Sequence, residues 1–120
     1  MHSYPGVSQP ALNEFALQGM WNVNSEGATP VSSAGSIMAG FQAAHVYLVL
    51  TSSDNTPRQV RVLLDGKTVS ARAAGTDVRN GLVTVQGQRL YSLVSLPGDQ
   101  QHALTVVVPP GVKAYDFTFG

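Results

Sequence analysis

The sequence predicts an all-β fold, a sandwich of two packed sheets made from about eight or nine short strands. Three observations lead there. Val60, Val62 and Leu64 fall at every second position, the spacing that lines one face of a strand. Asp65-Gly66 and Asn80-Gly81 each supply two neighbouring residues that tolerate positive φ, which a type I′ hairpin turn requires. No stretch has a strong helical period, and Gly, Pro, Asn and Asp recur between the apolar runs.

Taken in order, residues 1–12 hold Pro5, Gly6, Ser8 and Pro10 without an apolar period and read as a linker or tail, which leaves 13–120 as the folded module. Phe15 and Leu17, then Trp21 and Val23 beyond Gly19, predict a strand or strand pair broken near that glycine; a short helix over Pro10–Gln18 competes with it. Ser25 to Ser36 reads as a loop. Ile37 to Thr51 is apolar enough for two strands, Ser36–Gln42 and His45–Thr51, meeting at a corner near Ala43-Ala44. Ser52 to Pro57 is a turn, because its side chains bond their own backbone or fix φ. The Arg58–Leu64 strand, the Asp65-Gly66 turn and a return strand from Thr68-Val69 follow. Ala71–Asp77 is irregular, and the Asn80-Gly81 turn leads into Leu82–Val85. Gln88–Val94 and Ala103–Val108 are separated by Pro97-Gly98-Asp99, and Ala114–Phe119 closes the chain.

At 120 residues the chain makes one domain that buries about two-thirds of its unfolded surface. Seven basic and seven acidic residues cancel, so no net field draws it to nucleic acid or to an anionic membrane. There is no cysteine, which excludes disulfides, thiol nucleophiles and zinc ribbons within this chain. No apolar run approaches the roughly 18 residues of a membrane-spanning helix. No signal peptide is encoded, so work outside the cytoplasm would need delivery by upstream sequence.

Catalytic constellations are sparse. His2, His45 and His102 lack the local spacing of a metal site. Glycoside hydrolysis needs two converging carboxylates. Among Glu14, Glu26, Asp54, Asp65, Asp77, Asp99 and Asp116, no spacing makes two converge. There is no Gly-x-Ser-x-Gly elbow, and Gly75-Thr76-Asp77 neither follows a clear strand nor opens a helix, so a phosphate cradle is unsupported. The aromatic set suggests more. Trp21, Tyr47, Tyr91 and Tyr115 offer rings, while Arg61, Arg72, Arg89, Asp77, Glu26 and Gln88 offer polar groups, the mixture that sugar sites use. Against this, a lone tryptophan is more often core, and Tyr115, Phe117 and Phe119 alternate as a buried face does. Arg89 and Tyr91 share a strand face.

Several motifs occur together and in order: Gly19-Met20-Trp21-Asn22-Val23, Val62-Leu63-Leu64-Asp65-Gly66, Gly75-Thr76-Asp77-Val78, Gln88 through Val94, and Gly111 through Gly120. In this the chain resembles the carboxyl end of the DipZ family of thiol–disulfide proteins. The resemblance implies a membrane-embedded part and a TlpA-like thioredoxin domain upstream, with the redox cysteines in the latter. It also implies that this piece is a jelly roll of the galactose-binding or carbohydrate-binding-module type, working in the periplasm or cell envelope. The family carries over no binding residue. The function expected is a non-catalytic, carbohydrate-binding-like accessory module with Trp21, Arg89 and Tyr91 as ligand-binding residues and a glycan as ligand. The rival is a module that packs on its thioredoxin domain or on a second copy; catalysis would need two carboxylates or a His–Ser pair sharing a pocket. No cofactor is called for. Jelly rolls often hold a structural calcium, which this sequence neither marks nor excludes.

Overall fold

The computed structural model describes residues 2–4, 15–23, 27–31 and 34–120. Ten antiparallel strands run through them: β1 His2–Tyr4, β2 Phe15–Val23, β3 Ala28–Pro30, β4 Gly35–Ser52, β5 Arg58–Leu64, β6 Lys67–Thr68, β7 Val78–Arg79, β8 Leu82–Val85, β9 Arg89–Val108 and β10 Val112–Phe119. No helix occurs among the described residues. The fold is all-β, as the sequence predicts.

Two strands set the architecture. β4 and β9 pair along nearly their whole lengths, from Gly35↔Val108 to Leu50↔Arg89. The register breaks at Ala44, which faces the stretch Leu96 to Asp99, and an insertion of this kind bends the paired strands. The corner expected near Ala43-Ala44 is therefore real, but it is a bulge inside one continuous strand. Pro97-Gly98-Asp99 likewise lies within β9 rather than between two strands. A second slip, between Val46 and Tyr47, adds one residue to β9 and lets consecutive Leu93 and Val94 both be buried.

β2 bends too. Phe15–Gln18 pair with the first half of β4, whereas the residues from Gly19 onward pair with β1 and β3. Gly19 has φ 107°, a conformation that glycine adopts without steric cost. One hydrogen-bonded sheet thus folds over itself. One layer holds the starts of β2 and β4, the end of β9, and β5, β8 and β7; the other holds β1, β3, β10, the end of β4 and the start of β9.

Between the layers lie the inward residues of each strand: Val60 and Val62, Val83 and Val85, Leu104, Val106 and Val108 from one side, Val46, Leu48, Leu50, Tyr91 and Leu93 from the other. Both hairpins predicted from Asp-Gly and Asn-Gly form, with Asp65 and Asn80 at φ 53° and Gly66 and Gly81 at 82° and 76°. The return strand after Asp65-Gly66 is short, only Lys67–Thr68.

Other details differ from the sequence expectation. His2–Tyr4 pairs with Tyr4↔Gly19 through His2↔Trp21 of β2, although residues 1–12 read as a tail. β3 lies inside the stretch read as a loop and joins β2 to β10. In β10, one extra residue between Ala114 and Phe117 reverses the alternation. Ala114 and Phe117 both turn to the core, and Tyr115 lies beside Lys113 on the opposite face. Residues 5–14, most of the competing Pro10–Gln18 helix, and both glutamates fall outside the described residues.

Candidate functional site

Trp21 is fully buried. Gly35 lies flat against its indole, so close that a Cβ there would sit 2.7 Å from Cε2 and Nε1. Tyr91 is 2% exposed, and its hydroxyl donates to the Gly87 carbonyl at 2.7 Å and accepts from the Gln86 amide at 3.2 Å. It therefore ties the turn between β8 and β9. Arg89 reaches the surface with its guanidinium over the Tyr91 ring, 4.0 Å from the centroid. The structure brings Arg89 and Tyr91 together and holds Trp21 on β2. Neither Trp21 nor Tyr91 offers an open ring face; among the described residues Phe119 is exposed and Tyr47, Tyr115 and Phe117 are half-buried.

Arg89 leads to a residue that its strand alone does not reveal. Its Nη2 donates to Asp77 Oδ1 at 2.7 Å and its Nη1 to Oδ2 at 3.3 Å, while the Ser92 amide donates to Oδ2 at 2.6 Å. Asp77 ends a stretch that covers the edge of β9. The Gly75 amide donates to the Leu93 carbonyl at 3.0 Å, the Ser95 amide donates to the Ala73 carbonyl at 2.9 Å, and Ala74 bridges Val94. An exposed strand edge is a template for misassociation, and this irregular segment closes it.

Asp77 also lines a groove of about 460 Å³ with Gln59, Thr76, Arg79, Leu82 and Thr84. The groove lies on the outer face of β5, β8 and β7, where Gln59 is the cross-strand partner of Thr84, and Leu82 that of Arg79. A second hollow of about 750 Å³, lined by Val69, Ala74 and Val78 among others, adjoins it, with Arg79 and Asn80 common to both. The groove thus has hydroxyl, amide, carboxylate and guanidinium groups above one apolar floor residue, Leu82.

The Arg89 guanidinium holds the Asp77 carboxyl below the usual carboxylate range, helped by the Ser92 amide and opposed by burial. A carboxyl whose folded pKa is depressed contributes stability above its unfolded pKa, about 3.9, and loses it as pH falls through the folded value. Asp77→Asn is expected to cost about 1 kcal/mol at pH 7, a small figure because Arg89 is open to solvent. Denaturation curves of the two proteins should converge as pH falls through the lowered folded value of Asp77; a constant gap at every pH would contradict the clasp.

His102, Asp65 and Asp54 also have structural partners. His102 Nδ1 meets Asp65 Oδ2 at 2.5 Å and Nε2 meets Gln100 Oε1 at 2.9 Å, so neither nitrogen is left for a nucleophile. Asp54 is bound by Arg58 at 2.6 Å. Among the described residues no group of three or more His, Cys, Asp or Glu could hold a metal ion.

Residues 1–120 match the family model of the thioredoxin-like C-terminal domain. The chain belongs to that family. Over 110 residues this thioredoxin-like C-terminal domain is 28% identical to protein DipZ of Mycobacterium bovis and of Mycobacterium tuberculosis, covering 92% of the chain and 14% of each relative. The motifs that carry the resemblance map to β2, the β5–β6 hairpin, the edge-covering segment, the start of β9 and β10.

Among solved structures, the thioredoxin-like C-terminal domain is similar to a family two carbohydrate esterase from Clostridium thermocellum in complex with cellohexaose. The TM-score is 0.69 at 15% identity, over 89% of this chain and 31% of that one. A family two carbohydrate esterase from Cellvibrio japonicus gives 0.68 at 12% identity, over 88% and 30%. At such identities the likeness is one of fold. The chain contains no cysteine, so none of its own residues can carry thiol–disulfide exchange. Among the described residues no helix is long and apolar enough to cross a membrane.

Proposed function

We propose that this domain is a non-catalytic, carbohydrate-binding-like accessory module of an extracytoplasmic thiol–disulfide oxidoreductase. The observation that carries the reading is the groove over β5, β8 and β7. Gln59, Thr76, Asp77, Arg79 and Thr84 supply donors and acceptors for sugar hydroxyls, and Leu82 supplies a floor for a C–H face. Arg89 and Tyr91 act there by positioning Asp77, and Trp21 acts only through the core. The fold likeness to esterases, one of them bound to cellohexaose, supports the same reading.

Calorimetric titration with cello-oligosaccharides and cell-wall glycan fragments is expected to give dissociation constants in the micromolar-to-millimolar range, about −8 to −4 kcal/mol. Gln59→Ala with Thr84→Ala should weaken binding at least ten-fold without changing the melting temperature. No heat with any saccharide at millimolar concentration would overturn the proposal. One observation favours the rival docking role: Leu90 is 44% exposed beside its cross-strand partner Val49, on the outer face of the other layer. Resonance shifts at Leu90 on adding a thioredoxin domain, with no sugar response, would favour that role instead.

A further inference from the structure

The groove's charges are unequal, although the chain as a whole is neutral. Its one acid is occupied: both Asp77 oxygens accept from Arg89, and Oδ2 accepts in addition from the Ser92 amide. Its one basic lining residue, Arg79, is open, and Arg61 borders the groove as the cross-strand partner of Leu82. Both arginines are exposed, and neither forms an ion pair with a carboxylate among the described residues.

Position matters as much as number. Leu82 is the cross-strand partner of Arg61 on one side and of Arg79 on the other. Buried Val60 and Val62, Val83, and Val78 alternate with these three residues, so Arg61, Leu82 and Arg79 emerge on the same outer face. With strands about 4.8 Å apart, the two arginine Cα atoms stand roughly 10 Å from each other across the apolar floor. Two guanidinium forks rise beside a patch able to take one sugar ring, while Gln59 and Thr84 lie one strand step away as neutral hydrogen-bonding groups.

We infer that the groove takes an acidic saccharide, a glycan bearing carboxylates, which Arg61 and Arg79 hold from either side of Leu82. This rests on the sugar-binding reading of the groove and specifies its ligand class. Guanidinium is planar and donates two parallel hydrogen bonds, the geometry that a carboxylate accepts. Two open arginines on a neutral chain do not make a polyanion track, and among the described residues lining the groove there is no aromatic ring on which a base could stack.

The test is a titration of the intact domain with an oligoglucuronate, with the neutral oligoglucoside of the same linkage, and with single-stranded DNA. The oligoglucuronate is expected to bind at least ten-fold more tightly than its neutral counterpart and to weaken as salt is raised, whereas the neutral arm stays flat. Arg79→Gln and Arg61→Gln should each abolish most of that preference. Arg79→Lys should keep only part of it, and Lys113→Gln, which removes one charge from the other layer, should leave it intact. Thermal unfolding of each variant reports whether the fold is kept, and exposed arginines are expected to leave it unchanged. Equal binding of the neutral and acidic oligomers would overturn this inference while sparing the sugar-binding reading. Silence in both sugar arms would overturn both, and equally tight DNA binding would reduce the effect to unselective charge attraction.

Discussion

Trp21→Ala is expected to remove about 3–5 kcal/mol of stability, measured as a lower urea midpoint at unchanged slope. The indole is fully buried, and its neighbour Gly35 has no side chain that could relax into the hole. Against a total near 5–15 kcal/mol for a domain of this kind, that loss brings the variant close to unfolding at body temperature. Trp21→Phe should cost less and leave ligand binding in the groove unchanged. A loss below about 1 kcal/mol for the alanine variant would show that the indole is not a core plug.

Gly75→Ala should have the next largest effect. A Cβ at this position would lie 2.4 Å from the Ser92 carbonyl oxygen, so the covering segment has to lift from β9. Overpacking of this sort costs about 1–3 kcal/mol. The lifted segment also uncovers main-chain groups of Leu93 and Ser95, and concentration-dependent self-association should follow. Gly98→Ala is the matched control, because its Cβ would meet nothing within 4 Å. Equal melting temperatures and equal elution volumes for the two variants would contradict the role given to this segment.

The parts of the fold that were legible in the sequence are local ones. Asp65-Gly66 and Asn80-Gly81 specify their turns through two residues each, and Val60, Val62, Val83 and Val85 announce their buried face by simple alternation. β1 and β3 were not legible, since pairing such as Ser3↔Met20 and Asn22↔Thr29 is made by backbone groups that every residue carries. The parity change that turns Tyr115 outward comes from a bulge against β4, a partner distant in the chain. For the same reason, Ala43-Ala44 and Pro97-Gly98-Asp99 read as ends of strands although they are bends within them.

At the candidate site, the pairing of Arg89 with Tyr91 follows from two-residue spacing along one strand. Asp77 was visible only as one polar residue among several. Its place beneath Arg89 depends on where the irregular Ala71–Asp77 segment docks, and nothing local encodes that. Trp21 and Tyr91 are the right residue types for stacking on a sugar, but the burial that turns them into supports is a property of the assembled layers.

The passage of β4 and β9 through the bend has a consequence for how the domain comes apart. Each layer is built partly from the same two strands, so neither half is a separable folding unit. Gly35 must meet Val108 before one layer is complete, and Leu50 must meet Arg89 before the other is, which favours slow, all-or-none assembly over stepwise growth. The domain melts as a whole, and a groove on one layer lasts as long as the hydrogen bonds of the other.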